Sequence, residues 1–211
     1  MAESVTEILR GIEQRLRKPR PGLSAQLSMA PQPRPGRKGY TEVEESCLKA
    51  GVLVLLYPRE SGLHLVFIRR TSVGVHHRDQ IGFPGGRLED GEDPAQAALR
   101  EAWEEIGVPA ESVRILGGLT PLYIERSDFC IYPAVGTAAE TPAFRPDPLE
   151  VAEIIEVPLV HLEDPSQVRL ETRVYEKNPL DVPFFAFGPH KIWGATAMIL
   201  AEFLAVLHSD A

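Results

Sequence analysis

Over the first seventeen residues, Val5, Ile8, Leu9, Ile12 and Leu16 recur at three- and four-residue intervals, which predicts an amphipathic helix over residues 3–17. Prolines at 19, 21, 31, 33 and 35 then interrupt every regular pattern. Residues 18–38 therefore read as an extended linker, or as a strap across the body. From residue 47 the period changes. Runs rich in Val, Leu and Ile at 50–57 and 63–70, parted by Pro58, Ser61 and Gly62, predict a strand, a turn and a strand. Further strands are predicted at 113–119, 129–137, 151–157, 167–175 and 182–187. Two helices stand among them. The first spans 94–106: Asp93 can cap it, Pro94 suits the first helical position, Gln96 completes a capping box and Gly107 stops it. The second spans 192–208 and is mostly apolar on one side. This order predicts an α/β fold, with a mixed sheet between helices, rather than regular βαβ alternation.

Composition adds limits. With 211 residues, 44% hydrophobic and 25% charged, the chain is an ordinary globular protein, most simply one domain, and neither coiled coil, collagen nor largely disordered. Its net charge of −8 is uneven. Residues 1–40 carry eight Lys/Arg and three Glu, and the rest carries 14 Lys/Arg against 27 Asp/Glu. The chain thus divides into an N-terminal helix with a Pro-rich basic linker (1–40) and an acidic body (41–211). The basic arm reads as a solvated tail, and the acidic body argues against a nucleic-acid partner. The apolar stretch 192–207 contains Glu202 and is too short to span a bilayer comfortably. No apolar run follows a basic start, so no secretory signal is expected, and the expected location is cytoplasmic. Cys47 and Cys130 lie far apart in apolar surroundings and read as buried reduced thiols.

The candidate chemistry lies on the first central helix and the loop before it. Glu101, Glu104 and Glu105 stand at i, i+3 and i+4 and share one face. Like charges at this spacing destabilise a helix by a few tenths of a kcal/mol per pair, and Arg100 relieves only part of that. A hard divalent cation would relieve it fully, and carboxylates with carbonyls and waters are what Mg²⁺ or Mn²⁺ takes. The preceding Gly85–Gly91 segment is Gly-rich, which lets backbone approach a metal or a phosphate. Metal-assisted phosphoryl chemistry follows as an expectation.

The full spacing is Gly86, five residues, Glu92, seven residues, then Arg100-Glu101-Ala102-Trp103-Glu104-Glu105-Ile106-Gly107-Val108. It resembles the signature box of the Nudix hydrolases, with every fixed position filled. The resemblance implies a Nudix-type α/β/α sandwich and pyrophosphate hydrolysis. It implies that Glu101, Glu104 and Glu105 bind Mg²⁺ or Mn²⁺, with Glu101 and Glu105 foremost and a carbonyl from Gly85 or Gly86 joining them. Arg100 is implied to orient these carboxylates, and Glu92 to tie the loop to the helix. The box does not assign the general base.

Upstream, residues 65–86 read LVFIRRTSVGVHHRDQIGFPGG, similar to the segment that precedes the box in coenzyme A pyrophosphatases. Arg70, His77, Gln80, Phe83, Pro84, Gly85 and Gly86 match. Thr71 stands where Ser or Ala is usual, Val75 where Arg is frequent and Asp79 where Gly is. Residues 119–136 and 192–196 resemble later parts of the same subgroup. The implied reaction is hydrolysis of coenzyme A or a derivative to 3′,5′-ADP and 4′-phosphopantetheine. Arg70, His77, Gln80 and Tyr123 are candidate substrate contacts, whereas Trp103 and Trp193 read as core or support. The expected partner is a small-molecule nucleoside diphosphate derivative, with no nucleic acid and no membrane, and a homodimer is left open. ADP-ribose or NADH hydrolysis and a Nudix-fold sensor without catalysis are the alternatives. RNA decapping is disfavoured by the acidic body.

Overall fold

The computed structural model describes residues 4–33, 47–71, 80–125, 127–175 and 178–209. In chain order its elements are α1 (Val5–Leu16), α2 (Leu23–Gln26), β1 (Leu48–Arg59), β2 (Gly62–Arg70), β3 (Ile81–Gly82) and β4 (Gly85–Arg87). Then come α3 (Pro94–Ile106), β5 (Val113–Gly118), β6 (Leu122–Ile124), β7 (Phe129–Ala138), β8 (Val151–Pro158) and α4 (Leu159–Glu163). A hairpin sheet follows, of β9 (Val168–Tyr175), β10 (Asn178–Phe187) and β11 (His190–Trp193), and α5 (Gly194–His208) ends the fold.

β1 is the axis. It pairs antiparallel with β2 near its C-terminal end and with β4 near its N-terminal end, and parallel with β7 along its other edge. β8 and β3 extend the sheet beyond β2, and β5 and β6 pair with β7. A strand buried on both faces needs a continuous apolar run. β1 supplies one: Leu53, Leu55 and Tyr57 pack with Val66 and Ile68 under α3, and Val54 and Leu56 pack with Leu65 and Phe67 on the face of α5. The mixed sheet lies between helices, an α/β/α sandwich.

Four expectations change here. The thiols of Cys47 and Cys130 form a disulfide, with Cα atoms 5.8 Å apart. Parallel pairing of β1 with β7, in register Leu48↔Phe129, brings them together, and linear spacing does not reveal that contact. Residues 23–29, a proline-free stretch, are not extended but form α2 and a single 3-10 turn. The basic arm, over residues 4–33, is not a solvated tail: Ile12, Leu16, Met29 and Ala30 are buried in the core beside α5. Glu202 of α5 is buried with them and accepts from Thr120 Oγ1 at 2.6 Å and Gln26 Nε2 at 2.7 Å. Burial of a carboxylate is tolerated because donors surround it. The last helix starts at Gly194, two residues late, because Ile192 and Trp193 pair with Phe185 and Phe184 of β10. Among the described residues no helix is long and apolar enough to cross a membrane.

Candidate active site

α3 has the end signals its sequence carries. Asp93 Oδ1 accepts from the amides of Ala95 and Gln96, Gln96 returns the capping-box bond, and Gly107 closes the helix at φ 70°. Ala97, Ala98, Ala102 and Ile106 are buried on the sheet side. The helix lies unusually close to β1. A Cβ on Gly51 would stand 2.1 Å from the Pro94 carbonyl, so only glycine admits that approach. Gly51 pairs with Gly86 of β4, and a Cβ on Gly86 would stand 2.2 Å from Glu101 Oε1. Two glycines thus let the helix, the central strand and the Gly-rich loop meet where the carboxylates are. Gly86→Ala is expected to displace the Glu101 side chain and weaken divalent-metal affinity by about 10–100-fold, with little change in melting temperature. A Mg²⁺ titration of activity beside a thermal melt checks this.

Arg100 braces the face. Its Nε and Nη2 donate to the two oxygens of Glu92 at 2.8 and 3.1 Å, and its Nη1 donates to Glu101 and Glu104 at 2.9 Å each. Nη2 also donates to the Arg87 carbonyl at 3.0 Å, so one guanidinium joins loop and helix. The Arg100 hydrogen bond holds the Glu92 carboxyl below the usual range, and the carboxylates raise Arg100.

Glu105 is 0% exposed. Its Oε2 accepts from the Gly85 amide at 2.8 Å, and Arg70 Nη2 lies 2.8 Å from its Oε1. That contact is off the hydrogen-bond line, so Oε1 is offset in charge yet keeps a buried lone pair without a hydrogen bond. Burial, opposed by Arg70 and the Gly85 amide, pushes the Glu105 carboxyl up to about 7. Burial also raises Glu101, with Arg100 opposing.

Carboxylate oxygens of Glu101, Glu105 and Glu150 lie within 4.8 Å of one another. The sequence alone does not point to Glu150. It comes from the loop before β8, held at the end of α3 by Arg145 N on the Ile106 carbonyl and Asp147 N on the Glu105 carbonyl, each 2.9 Å. Thr71 N fixes the same loop from the β2 side by donating to the Glu150 carbonyl at 2.9 Å. A Glu at a strand entrance, 45 residues after Glu105, carries no local signal.

Glu104 lies outside that trio, with its side chain 52% exposed and bound to Arg100. Arg70 faces Glu105 and donates to the Gly85 carbonyl at 2.7 Å. The Gln80 carbonyl accepts from the Arg70 amide at 3.1 Å. Tyr123 is buried with the disulfide and donates to Asp128 at 3.0 Å. His77 lies outside the described residues, as do Val75 and Asp79. Trp103, read as core or support, is instead 56% exposed, because its place on α3 faces away from the sheet. Trp193 is half-buried under the Arg173 guanidinium.

A buried oxygen with a spare lone pair, three converging carboxylates and hard oxygen donors fit a divalent cation such as Mg²⁺ or Mn²⁺. The family model described as NUDIX domain matches residues 48–179. The chain is 31% identical over 166 residues to mitochondrial coenzyme A diphosphatase NUDT8 of Mus musculus, covering 76% of this chain and 74% of that protein. It is 35% identical over 156 residues to the uncharacterized Nudix hydrolase NudL of Pectobacterium atrosepticum, covering 69% and 76%. Among solved structures, the MutT protein of Methanosarcina mazei superposes with a TM-score of 0.50 at 14% identity, over 75% of this chain and 92% of that one, a likeness of fold. A domain match over more than half the chain, which includes the β1–α3 unit and its carboxylates, and relatives above 30% identity establish that the chain belongs to the Nudix hydrolases.

Proposed function

We propose that this Nudix hydrolase cleaves the pyrophosphate bond of coenzyme A or a derivative, giving 3′,5′-ADP and 4′-phosphopantetheine, with Mg²⁺ or Mn²⁺ held by Glu101, Glu105 and Glu150. The observation that carries the reaction type is the convergence of these three carboxylates beside Gly85 and Gly86, with Glu105 Oε1 lacking a hydrogen bond. Similarity to a protein named as a coenzyme A diphosphatase, together with the segment from Arg70 to Gly86, supports the substrate.

The bound cation would neutralise pyrophosphate charge and acidify water at the site. The protein's residues prepare the place for it. The Gly85 amide fixes Glu105 Oε2, while Oε1 lies beside Arg70 without a hydrogen bond. Arg100 aims Glu101 and ties the loop by Glu92, so carboxylates and loop hold one geometry. Arg70 places a positive charge beside Glu105, which keeps a carboxylate in a buried position without excluding ionisation.

Hydrolysis of coenzyme A, ADP-ribose and NADH, each with Mg²⁺ and with Mn²⁺ and with product identification, tests the proposal. Highest kcat/KM on coenzyme A supports it, and a clear preference for ADP-ribose or NADH replaces it with the other dinucleotide reading. Glu150→Gln is expected to weaken activity at limiting Mg²⁺ by about 10–100-fold, the scale of a lost supporting ligand, and Glu104→Gln to do less. Parallel metal titrations of the two variants measure the difference, and equal loss would remove Glu150 from the site.

A further inference from the structure

Away from the carboxylates, the end of β2 and the β9–β11 sheet enclose a cavity of about 390 Å³ lined by Arg69, Gln80, Arg173, His190, Lys191 and Trp193, with Ile81 and Pro189. None of the described lining residues is acidic, although Asp and Glu outnumber Lys and Arg by 27 to 14 beyond residue 40. The acids stand behind the cations. Glu153 accepts from Arg69 Nε at 3.0 Å and lies 3.4 Å from His190 Nε2. Glu171 pairs with Arg173 and with Lys191. Among the described residues, Glu171 is one carboxylate against two permanent cations, Arg173 and Lys191, and each brace holds a cationic head in place. Arg173 is held further by Trp193, whose ring centroid lies 4.0 Å from the guanidinium carbon. The heads stay reachable: the side chains of Arg69, Arg173 and Lys191 are 34%, 34% and 48% exposed. A compact dianion such as a phosphomonoester suits a guanidinium fork beside an ammonium.

The cavity lies at the end of β2, the strand that also carries Arg70. Arg69 and Arg70 are consecutive on β2, so their side chains leave on opposite faces of the sheet. Arg70 reaches Glu105 and Arg69 reaches Glu153, from Cα atoms about 3.8 Å apart. Gln80 lines the cavity, and its carbonyl binds the Arg70 amide. A substrate that spans this strand end would meet the carboxylates on one face and the cavity on the other.

We infer that this cavity is an anion subsite that takes a phosphomonoester on the nucleoside side of the substrate, apart from the pyrophosphate that is cleaved. The inference rests on the coenzyme A reading and deepens it, because coenzyme A carries a ribose 3′-phosphate whereas ADP-ribose and NADH carry none.

The test compares coenzyme A with 3′-dephospho-coenzyme A as substrates for the wild type, Arg173→Gln and Lys191→Gln, each checked for folding by thermal melting. Calorimetric titration with 3′,5′-ADP and with 5′-AMP reads the cavity without catalysis. The wild type is expected to favour coenzyme A by about 10–100-fold in kcat/KM, mainly through KM, as lost hydrogen bonds to a charged group imply. Both variants lose that preference and keep their turnover of the dephospho substrate, and 3′,5′-ADP no longer binds them more tightly than 5′-AMP. Equal kcat/KM on the two substrates, or a preference that survives both substitutions, overturns the subsite and leaves the coenzyme A reading standing. If coenzyme A is not hydrolysed at all, the functional reading fails. The calorimetry then decides the cavity alone: tighter 3′,5′-ADP binding that the variants lose keeps it, and equal binding removes it.

Discussion

Glu105→Gln is expected to lower kcat by about a thousandfold while leaving the fold intact, a loss that matches the several kcal/mol a divalent ion contributes to charge stabilisation. The change is isosteric. The amide oxygen of the introduced side chain can still accept from the Gly85 amide, which holds Glu105 Oε2 at 2.8 Å. What the variant loses is the anionic oxygen beside Arg70, a buried oxygen that has no hydrogen bond. Since a buried carboxylate is costly without a full set of partners, the neutral amide should leave melting temperature unchanged or higher without metal. Steady-state kinetics at saturating Mg²⁺ or Mn²⁺, with a thermal melt, measures both halves. Near-normal turnover would remove Glu105 from the metal site, and a collapsed melt would show that its role is structural.

The metal-free protein is also expected to lose stability as pH rises from about 4.5 to about 7, by roughly 3 kcal/mol from this one group. Glu105 has a folded-state pKa of about 7 against an ordinary 4.5. Below the lower value it is protonated in both states and its contribution is fully present. Between the two values the unfolded chain releases its proton and the folded chain keeps it. The folded state then binds more protons, and stability falls as pH increases until about 7. Glu92 acts in the opposite direction at lower pH, because Arg100 depresses its carboxyl. The clean measurement is therefore the difference between wild type and Glu105→Gln in denaturant unfolding with EDTA, from pH 5 to 8. The variant should lack the decline, and parallel curves would refute it. Added Mg²⁺ should recover more stability at pH 8 than at pH 5, since ionised carboxylates bind it and binding to the folded state stabilises.

Wherever a property depended on neighbours along the chain, the sequence was sufficient. The cap of α3 needs only Asp93, Pro94, Gln96 and Gly107, all within one helix length. The shared face of Glu101, Glu104 and Glu105 follows from helical period alone, and so does the pairing of Arg100 with Glu104 one turn on. The strands of the central sheet were legible because β1 and β2 are buried on both faces, which forces unbroken apolar runs. Signals of the opposite kind misled: proline marks residues 18–38 as irregular, yet the proline-free piece between them folds as α2 because it can bury against α5.

Contacts between distant segments were decided only by the tertiary structure. Glu150 joins the site because backbone bonds from residues 145 and 147 pin its loop to the end of α3, a contact 45 residues from Glu105. Glu104 leaves the trio because the same helix turn that aligns it with Arg100 directs it to solvent. Cys47 meets Cys130 through the parallel register of β1 and β7. Trp103 is apolar by composition yet exposed, since its side of α3 has no sheet to cover it. The cation-lined cavity likewise draws Arg69 from β2 and its other cations from segments a hundred residues later. Local order of apolar and capping residues thus determined which elements form and that a carboxylate helix follows a glycine loop. Which oxygens converge, and which cations line the cavity, depended on sheet register and loop closure, because neither leaves a periodic trace in the chain.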